Sequence, residues 1–382
     1  MFKRISRLEL EIANSNHYRI INDQNIILTK QNILYSINPE TNQELAQLEF
    51  EKEIQELIPI DSNELIIFMG KKSKRLDFAS WRKIDDSEFE KYRVSPIKPY
   101  NNLVFVRIPD EIDNDKEYRG LYSLEQRHII WQSDLVHNPI ILGGSLFSNN
   151  FVDGKVERFD LQTGNLLWSQ SVVEPGRHTE IGLGSKRIIH EGEVDNFLGV
   201  YKNILWLVLK NGLLLGLDVE SGRILHEIKE PSVFPDTFQL IKSQELNFFY
   251  SAFSMLDAEN GKIFKLFQSN SSGAPVFYHE IDLESAELQL KIEQISFANP
   301  DSFYMAGGAI GFRWPFDSDY IYLCNYRDYQ IALFDRRTKK IEWVHEMEVD
   351  EKNKSFIIKM KVQGNRWYIL DYSKTLYVYE RV

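Results

Sequence analysis

The chain has 382 residues, a formal net charge of −11 and 13% aromatic residues. This composition supplies a large packed core and excludes a disordered chain, although the length is more than one ordinary non-repetitive domain needs. The excess of acidic residues argues against a general affinity for nucleic-acid phosphates, because clustered Lys and Arg provide that affinity. A negatively charged protein fits a basic partner better.

The beginning of the sequence, MFKRISRLELEIANS, has no uninterrupted apolar segment of the length found in secretory signals. No other segment approaches the run of about 18 apolar residues that a membrane span requires. We therefore expect a cytoplasmic protein without membrane association. Cys324 is the single cysteine, and its apolar surroundings YIYLCNY predict a buried core residue rather than a nucleophile.

The first turn motif is INPETNQELA, in which Asn38 follows a strand-like run and Thr41 and Asn42 stand three and four positions later. An Asp or Asn side chain at a strand end accepts hydrogen bonds from the turn amides that follow. Gly or Asn then supplies the left-handed conformation that reverses the chain. RLDFASWRKIDD, near Trp81, is interpreted as a degenerate copy of the same motif.

PDEIDNDKEYRG is the most calcium-like segment, since Asp113, Asp115 and Glu117 alternate along it. An EF-hand loop would require Gly at position 118 and Glu at position 124, which are Tyr118 and Leu124 here. We therefore interpret the segment as a solvated acidic loop and as a candidate contact for a protein partner.

The turn motif recurs along the chain with a bulky residue preferred eight positions after its first residue. A degenerate copy, YSLEQRHIIW, ends at Trp131. The clearest copies are marked by Asp160, Gly164 and Trp168, by Asp218 and Gly222, by Asp257 and Gly261, and by Asp335 and Trp343. One hairpin cannot bury such a ring on both sides, so neighbouring sheets must pack against each other.

Between two strong copies, RHTEIGLGSKRIIHEGEVD gathers imidazole and carboxylate groups that include His190, Glu191 and Glu193. No pair has the H-E-x-x-H spacing of a helical zinc site. We interpret the segment as an extended surface loop in contact with a partner and predict no metal.

IDLESAELQL repeats the motif at Asp282, only 25 positions after Asp257, which indicates an elaborated sheet rather than a separate one. In GFRWPFDSDY, a loop places Arg313, Trp314 and Phe316 close together. Aromatic and Arg residues are typical of binding hot spots, so these three are candidate partner contacts. The alternative is that the loop folds back and buries its rings.

Three to four strand-like runs for each turn motif, with hardly any helix, predict an all-β β-propeller of four-stranded blades. The chain ends in strand-like RWYILDYSKTLYVYERV without the last strand of that hairpin, and ISRLELEI at the beginning supplies it. Pairing these termini closes the propeller and covers both edges. We predict eight blades, with seven as the alternative, in a single domain spanning residues 1–382 with long loops.

These motifs resemble the repeat of the pyrroloquinoline-quinone-type propellers, a superfamily that contains quinoprotein dehydrogenases and non-enzymatic scaffold proteins. The enzymes of that family need a metal ion, an Asp base and a funnel over the cofactor, often with adjacent cysteines. Adjacent cysteines are absent from this sequence. The resemblance therefore implies the non-enzymatic branch, and we predict no catalytic residues and no cofactor.

A propeller without a recognisable catalytic constellation is expected to bind other proteins through its loops. Segments 70–100, 108–119, 174–199, 268–280 and 306–319 are the expected irregular segments that carry this surface. The most specific hypothesis is a cytoplasmic immunity-type protein that binds and neutralises a bacterial toxin, since an acidic surface steers onto a basic toxin domain. The alternatives are a hydrolase or lyase with a carboxylate or His site at the channel mouth, and an assembly scaffold with several partners.

Overall fold

A computed structural model describes most of the chain. The described residues are 2–10, 18–22, 25–61, 63–70, 72–95, 97, 99–109, 117–181, 187–228, 254–268, 276–285, 288, 290–294, 296–297, 314–325, 329–349 and 357–382. Within them lie 34 strands, one short helix, α1 (Val173–Gly176), and one turn of 3₁₀ helix at Phe89–Lys91. No helix among these residues is long and apolar enough to cross a membrane.

The strands follow one another with short turns. The first thirteen are β1 (Phe2–Glu9), β2 (Tyr18–Asn22), β3 (Asn25–Lys30), β4 (Ile33–Ile37), β5 (Glu44–Glu49), β6 (Glu56–Pro59), β7 (Glu64–Met69), β8 (Lys72–Asp77), β9 (Arg82–Ile84), β10 (Arg93–Val94), β11 (Leu103–Pro109), β12 (Glu117–Ser123) and β13 (His128–Ser133). The next fourteen are β14 (Pro139–Leu142), β15 (Ser145–Asn150), β16 (Lys155–Phe159), β17 (Leu166–Ser171), β18 (His178–Ile181), β19 (Arg187–His190), β20 (Val194–Tyr201), β21 (Ile204–Leu209), β22 (Leu214–Asp218), β23 (Ile224–Ile228), β24 (Met255–Asp257), β25 (Lys262–Gln268), β26 (Val276–Asp282) and β27 (Leu290–Gln294). The last seven are β28 (Ser296–Phe297), β29 (Tyr320–Asn325), β30 (Gln330–Asp335), β31 (Lys340–Glu346), β32 (Ile357–Gln363), β33 (Arg366–Asp371) and β34 (Thr375–Arg381).

These strands form eight four-stranded sheets and one small hairpin of β18 and β19. The fold is a β-propeller with eight blades, which confirms the larger of the two expected counts. Blades 1 to 4 are β2–β5, β6–β9, β10–β13 and β14–β17, and blades 5 to 8 are β20–β23, β24–β27, β28–β31, and β32–β34 with β1.

The chain divides into two compact units. One consists of Met1–Leu135, Trp314–Phe334 and Glu342–Val382, and the other of Val136–Arg313 and Asp335–Ile341. The first unit therefore holds blades 1, 2, 3 and 8 with most of blade 7. The second holds blades 4, 5 and 6 together with the turn between β30 and β31.

The turn motif joins the third strand of a blade to the fourth in blades 1 to 5. The residue four positions into the motif has a left-handed backbone in every described copy, with φ between 56° and 73°, whether or not it is glycine. These residues are Asn42, Trp81, Arg127, Gly164, Gly222, Gly261 and Lys339. Trp81 at this position explains why the copy in blade 2 looked degenerate in the sequence.

Blade 6 contains two copies of the motif, as the close spacing of Asp257 and Asp282 predicted. The Asp257 turn joins its first strand, β24, to β25, whereas Asp282 ends its third strand, β26. The sequence alone gave the Asp257 copy the same hairpin position as the other copies. Among the described strands, this turn instead joins the first strand of blade 6 to the second.

Blade 8 is formed from both ends of the sequence. Strand β1 pairs antiparallel with β34 from Phe2 opposite Arg381 to Glu9 opposite Thr375. The predicted pairing of the terminal strands is therefore confirmed. In blade 7, the short strand β28 pairs parallel with β31, an addition that the sequence did not predict.

The segments predicted to be irregular contain more regular structure than expected. Segment 70–100 includes β8, β9 and β10, and segment 174–199 includes most of α1, the β18–β19 hairpin and most of β20. Local sequence there lacks strict alternation, so the pairing partner rather than the segment itself determines the strand.

Apolar clusters fill the spaces between neighbouring blades. Phe147 of blade 4 packs in one cluster with Leu205 and Leu217 of blade 5, and all three are almost completely buried. Analogous clusters join blades 1 and 2, 2 and 3, 5 and 6, 7 and 8, and 8 and 1. This packing fixes the turns that present side chains to solvent.

Candidate partner-binding surface

The turn that follows the third strand defines one end of each blade, called here the turn end. In blade 4, the Asp160 carboxylate accepts hydrogen bonds from the amides of Gln162 and Thr163 at 3.0 and 2.7 Å and from the Thr163 hydroxyl at 2.9 Å. Asp218 accepts the equivalent bonds from Ser221 at 2.7 Å. The first residue of the motif is thus occupied in holding the turn, and the residues at its tip face solvent.

Carboxylates recur at the tip of this turn. The residue two positions after the first residue of the motif is an exposed glutamate in five described copies: Glu40, Glu125, Glu220 and Glu284 after a third strand, and Glu259 after the first strand of blade 6. In a protein with a net charge of −11, this repetition places negative charge at the same structural position of different blades. Such a surface attracts basic partners over several ångströms.

Ion pairs between neighbouring blades fix some of these tips. Arg158 of blade 4 contacts Glu220 of blade 5 at 2.8 Å and also donates to the backbone carbonyl of Val219 at 3.0 Å. Arg366 of blade 8 is paired in the same way with Glu40 of blade 1. These contacts order the turn end, so its exposed groups are presented without large conformational cost.

Trp168 joins the same two blades as Arg158. Its ring is half-buried against the apolar cluster of blades 4 and 5, and its Nε1 donates to Val219 at 2.8 Å. A methyl group on Gly222 would lie only 2.6 Å from the ring. Trp343 is half-buried against the cluster of blades 7 and 8, where its ring lies 5.8 Å from that of Phe2.

The fourth strands carry a second repeated feature, an apolar residue seven positions after the first residue of the motif, which is exposed in three blades and half-buried in a fourth. In four blades the register skips this residue, which makes it the extra residue of a β-bulge: Leu45, Ile130, Leu167 and Leu225. The three leucines are 49%, 50% and 39% exposed. A bulge redirects a side chain and prevents a further strand from pairing there, so these edges offer apolar contacts rather than a sheet extension.

A charged cluster lies in the second unit at the turn end of blade 6. The Glu280 carboxylate accepts hydrogen bonds from the Tyr278 hydroxyl at 2.6 Å, from Lys262 at 2.9 Å and from Lys339 at 3.0 Å. Arg336 contacts Asp257 at 2.6 Å, and both side chains are almost completely buried.

The electrostatics of this cluster determine what it can do. Burial alone would raise the pKa of Glu280, but the hydrogen bonds from Tyr278 and the two lysines outweigh it and lower the pKa to about 2. The pKa of Asp257 is also lowered, because the bonds from Asn260 and Arg336 outweigh burial. Both carboxylates are therefore ionised at neutral pH, which suits a structural ion pair and not a general acid.

The other buried titratable groups of the described residues have similar explanations. Arg75 contacts Asp86 at 2.7 Å and Glu64 at 2.5 Å, and the Tyr122 hydroxyl completes that network at 2.7 Å. Burial, together with Lys265, lowers the pKa of His279 to about 3, so this imidazole is neutral. No group of three or more His, Cys, Asp or Glu residues in the described parts of the chain is arranged to hold a metal ion.

Cys324 is buried, as the sequence predicted, and burial raises the pKa of its thiol. A thiol in this environment stays protonated at neutral pH and is a poor nucleophile.

The sequence predicted nine residues as partner contacts, and the structure describes six of them. Asp113, Asp115 and Arg313 lie outside the described residues, while Glu117 begins β12 and His190 ends β19. The remaining four are Glu191, which is exposed, Glu193, which contacts Lys210 at 2.7 Å, and the half-buried Trp314 and Phe316.

Trp314 packs against the apolar cluster of blades 7 and 8, and Phe316 forms a β-bridge with Ile321. These contacts agree with the alternative in which this loop folds back onto the blade. Both residues are partly exposed, and their role in partner binding stays a prediction.

The sequence analysis did not identify the charged cluster around Glu280. It also did not identify the bulge leucines, which are Leu45, Leu167 and Leu225. Alignment of the turn motifs would have found the leucines, because Leu45, Leu167 and Leu225 share one position of the repeat. No comparable signal marks Glu280, since Lys339 belongs to a different blade and is 59 positions away.

No protein-family model matches the chain. Over 75 residues, it is 37% identical to the outer membrane protein assembly factor BamB of Kangiella koreensis. That segment is 20% of this chain and 18% of the relative, so the match spans less than a fifth of the length of the relative.

Three of the solved structures that share the fold illustrate the likeness. They are BamB from Moraxella catarrhalis (TM-score 0.55, 14% identity, all of both chains), the computationally designed protein Ika8 (0.55, 13%, 98% of each chain) and Saccharomyces cerevisiae Sqt1 (0.59, 10%, 99% of this chain and 98% of that one). At such identities the likeness shows the propeller architecture alone. Together, the matched segment and the fold support the resemblance of this chain to propellers built from pyrroloquinoline-quinone-type repeats.

Proposed function

We propose that this chain is a protein-binding propeller and, more specifically, a cytoplasmic immunity-type protein that binds and neutralises a basic toxin domain. The observation that carries the proposal is the recurrence of an exposed glutamate at the tip of the turn motif. Four of these glutamates lie on third-to-fourth-strand turns, and Glu259 lies on the first-to-second-strand turn at the same end of blade 6. The turns are fixed by internal hydrogen bonds, so each unit presents its carboxylates in a preorganised arrangement.

The comparisons support the protein-binding part of this proposal. The matched relative from Kangiella koreensis is named an outer membrane protein assembly factor, and the fold is shared with BamB from Moraxella catarrhalis at 14% identity. Propellers present many loops from one rigid scaffold, which suits recognition of a folded partner. The toxin is inferred from charge complementarity alone.

The test is coexpression of the intact chain with a candidate toxin, followed by measurement of growth and of binding. We expect protection, and an association rate that falls as salt is added, because the steering is electrostatic. Glu125→Lys and Glu259→Lys should each slow association by about threefold to tenfold. Asp153→Lys is the control, since Asp153 lies in the β15–β16 turn at the opposite end of its blade.

If both glutamate variants protected cells as well as the wild-type protein does, the binding surface would have to lie elsewhere than at the turn end. If the chain neither binds nor neutralises any basic toxin domain encoded beside its gene, the immunity function is ruled out.

The bulge leucines favour a second candidate, the scaffold with several partners. Leu45, Leu167 and Leu225 repeat one apolar contact position on three blades. A scaffold predicts that affinity capture recovers two or more proteins, and that Leu167→Ser removes one of them while leaving another bound.

The enzyme alternative finds less support in the described residues. It requires carboxylates or histidines with strongly shifted pKa values in an accessible site, and the Glu280 cluster is the closest match. Its carboxylate is fully engaged by Tyr278, Lys262 and Lys339. A hydrolase or lyase activity abolished by Glu280→Gln in a folded protein would revive this alternative.

A further inference from the structure

The outer edge of each blade is a strand with one side turned away from its sheet, and most of the described edges are blocked. In blades 1, 3, 4 and 5 the outer strand carries the bulge described above, and β1 of blade 8 is interrupted in the same way between Arg4 and Ser6. The outer strand of blade 2, β9, has only three residues. In blade 7, the short strand β28 covers part of the edge of β31. Bulges, short edges and covering segments are the features by which proteins prevent another chain from adding a strand.

Blade 6 has none of these three features in the part of the chain that the structure describes. Its outer strand, β27, has five residues and pairs with β26 without a register shift, from Phe277 opposite Gln294 to Ile281 opposite Leu290. No described strand pairs with the other side of β27. The backbone groups on that side therefore form a regular row of donors and acceptors, of the kind that pairs with a further strand.

The sequence of β27 indicates which strand fits this edge. It reads LKIEQ, with a lysine at position 291 and a glutamate at position 293 on either side of Ile292. When two copies of β27 pair antiparallel about a two-fold axis at Ile292, position 291 of each copy faces position 293 of the other. Opposite charges at facing positions stabilise an antiparallel pair, whereas like charges destabilise it. The edge is thus complementary in charge to a second copy of itself.

We propose that β27 is a dimerisation edge, at which the sheet of blade 6 continues into the same sheet of a second copy of this chain. Such a contact uses the same strand in both copies, so the assembly closes at two chains. It forms backbone hydrogen bonds along β27 and two pairs of a lysine with a glutamate. The proposal does not depend on toxin binding, because the outer edge of blade 6 is not its turn end.

The oligomeric state of the intact chain tests the proposal, and analytical ultracentrifugation between about 1 and 200 µM measures it. An edge of five residues buries little surface, so we expect a reversible equilibrium of monomer and dimer with a micromolar dissociation constant. Hydrogen exchange is the second measurement. The amides of β27 should exchange more slowly as the protein concentration rises, while those of β23, an outer strand with a bulge, should not change.

Charge reversal assigns the contact to this edge. Glu293→Lys makes both facing pairs lysine against lysine, and it should weaken dimerisation about tenfold. An equimolar mixture of Glu293→Lys and Lys291→Glu restores both opposite-charge pairs, so the two variants should form a heterodimer with the affinity of the wild-type protein. Glu227→Lys is the control, because it makes the same charge change at an exposed position of β23 and should leave the dimer unchanged.

Lys291 is also the cross-strand neighbour of Glu280 within blade 6, so circular dichroism must first show that Lys291→Glu is folded. If it is not, Glu293→Lys and hydrogen exchange decide the question. A chain that stays monomeric over the whole concentration range would overturn the proposal. A dimer that Glu293→Lys leaves unchanged, or β27 amides whose exchange does not depend on concentration, would overturn it as well, since β27 would then not be the contact.

Discussion

The indole nitrogen of Trp168 donates a 2.8 Å hydrogen bond to the backbone carbonyl of Val219 in the next blade. The ring also lies over Gly222, the left-handed residue of the turn that contains Val219. The Trp168 side chain thus contacts the next blade at two points, the backbone carbonyl of Val219 and the glycine at position 222. This contact explains why position 222 is a glycine, since a side chain there would displace the ring.

A pair of glycine variants separates the two requirements at Gly222. Gly70 has nearly the same φ, +70° against +73°, but nothing lies within 4 Å of the methyl group that alanine would add. We expect Gly70→Ala to lower the free energy of unfolding by about 1 kcal/mol through backbone strain alone. Gly222→Ala should lower it by about 3 kcal/mol, because the methyl group also displaces Trp168. Equal losses in urea denaturation would show that the ring contact adds nothing.

The Asp160 side chain should stabilise the protein in a pH-dependent way. Hydrogen bonds from the hydroxyl and amide of Thr163 lower its pKa below the ordinary value. Because the pKa is lower in the folded state, the stabilisation is complete above about pH 4 and is lost as the pH falls through the folded-state value. Asp160→Ala should cost about 1 kcal/mol at pH 7 and progressively less in acid.

Denaturation at pH 7 and pH 3 measures this difference. Asp85→Ala is the control, since Asp85 is exposed and does not begin a turn motif. A loss of stability that is the same at both pH values would show that the effect of Asp160 does not come from its ionised carboxylate.

Glu280→Gln should destabilise the protein strongly. The change leaves Lys262 and Lys339 beside a neutral amide, and removal of one partner from a buried ion pair costs about 3 kcal/mol. The pKa of Glu280 is lowered to about 2, so the wild-type protein should hold this stabilisation above about pH 4.5 and lose it as the pH falls toward 2. Thermal unfolding between pH 7 and pH 2.5 tests both statements.

Glu346→Gln provides the comparison for that experiment, because Glu346 is exposed on β31. It should change the free energy of unfolding by less than about 0.5 kcal/mol. A Glu280→Gln protein as stable as Glu346→Gln would mean that the two lysines find other partners at no cost.

Lys359→Met should stabilise the protein at pH 7. The charged form of Lys359 is disfavoured in the folded state, so its penalty is present below about pH 8 and disappears as the pH rises to the unfolded value near 10.5. We expect a gain on the order of 1 kcal/mol at pH 7 that shrinks above pH 9. A loss of stability at pH 7 would show that the ammonium group is favourably paired.

The repeat, the blade count and the pairing of β1 with β34 could be predicted because each depends on a local pattern. Asp160 and Gly164 lie within one turn, so their spacing alone indicates the hairpin. Trp81 weakened the prediction of blade 2, since nothing in the sequence shows that a tryptophan adopts a left-handed backbone there. Sheet propensity is set largely by neighbouring strands, which explains why β10 and β20 were not predicted.

The candidate surfaces were harder to predict than the fold. Arg366 and Glu40 are 326 positions apart in the sequence and form an ion pair because blades 8 and 1 are neighbours. The Arg336 and Asp257 pair depends in the same way on contact between two turns. Such sites arise from tertiary proximity, so a single sequence without its fold contains no sign of them.

The pairing of β1 with β34 sets a constraint on synthesis. Phe2 and its partner Arg381 are 379 positions apart (381 − 2), so blade 8 cannot assemble before translation has passed Arg381. During that interval, β1 has no partner strand and must be kept from pairing with other nascent chains. The slowest step of folding is therefore expected to be the final docking of the two terminal strands, with blades in the middle of the sequence already in place.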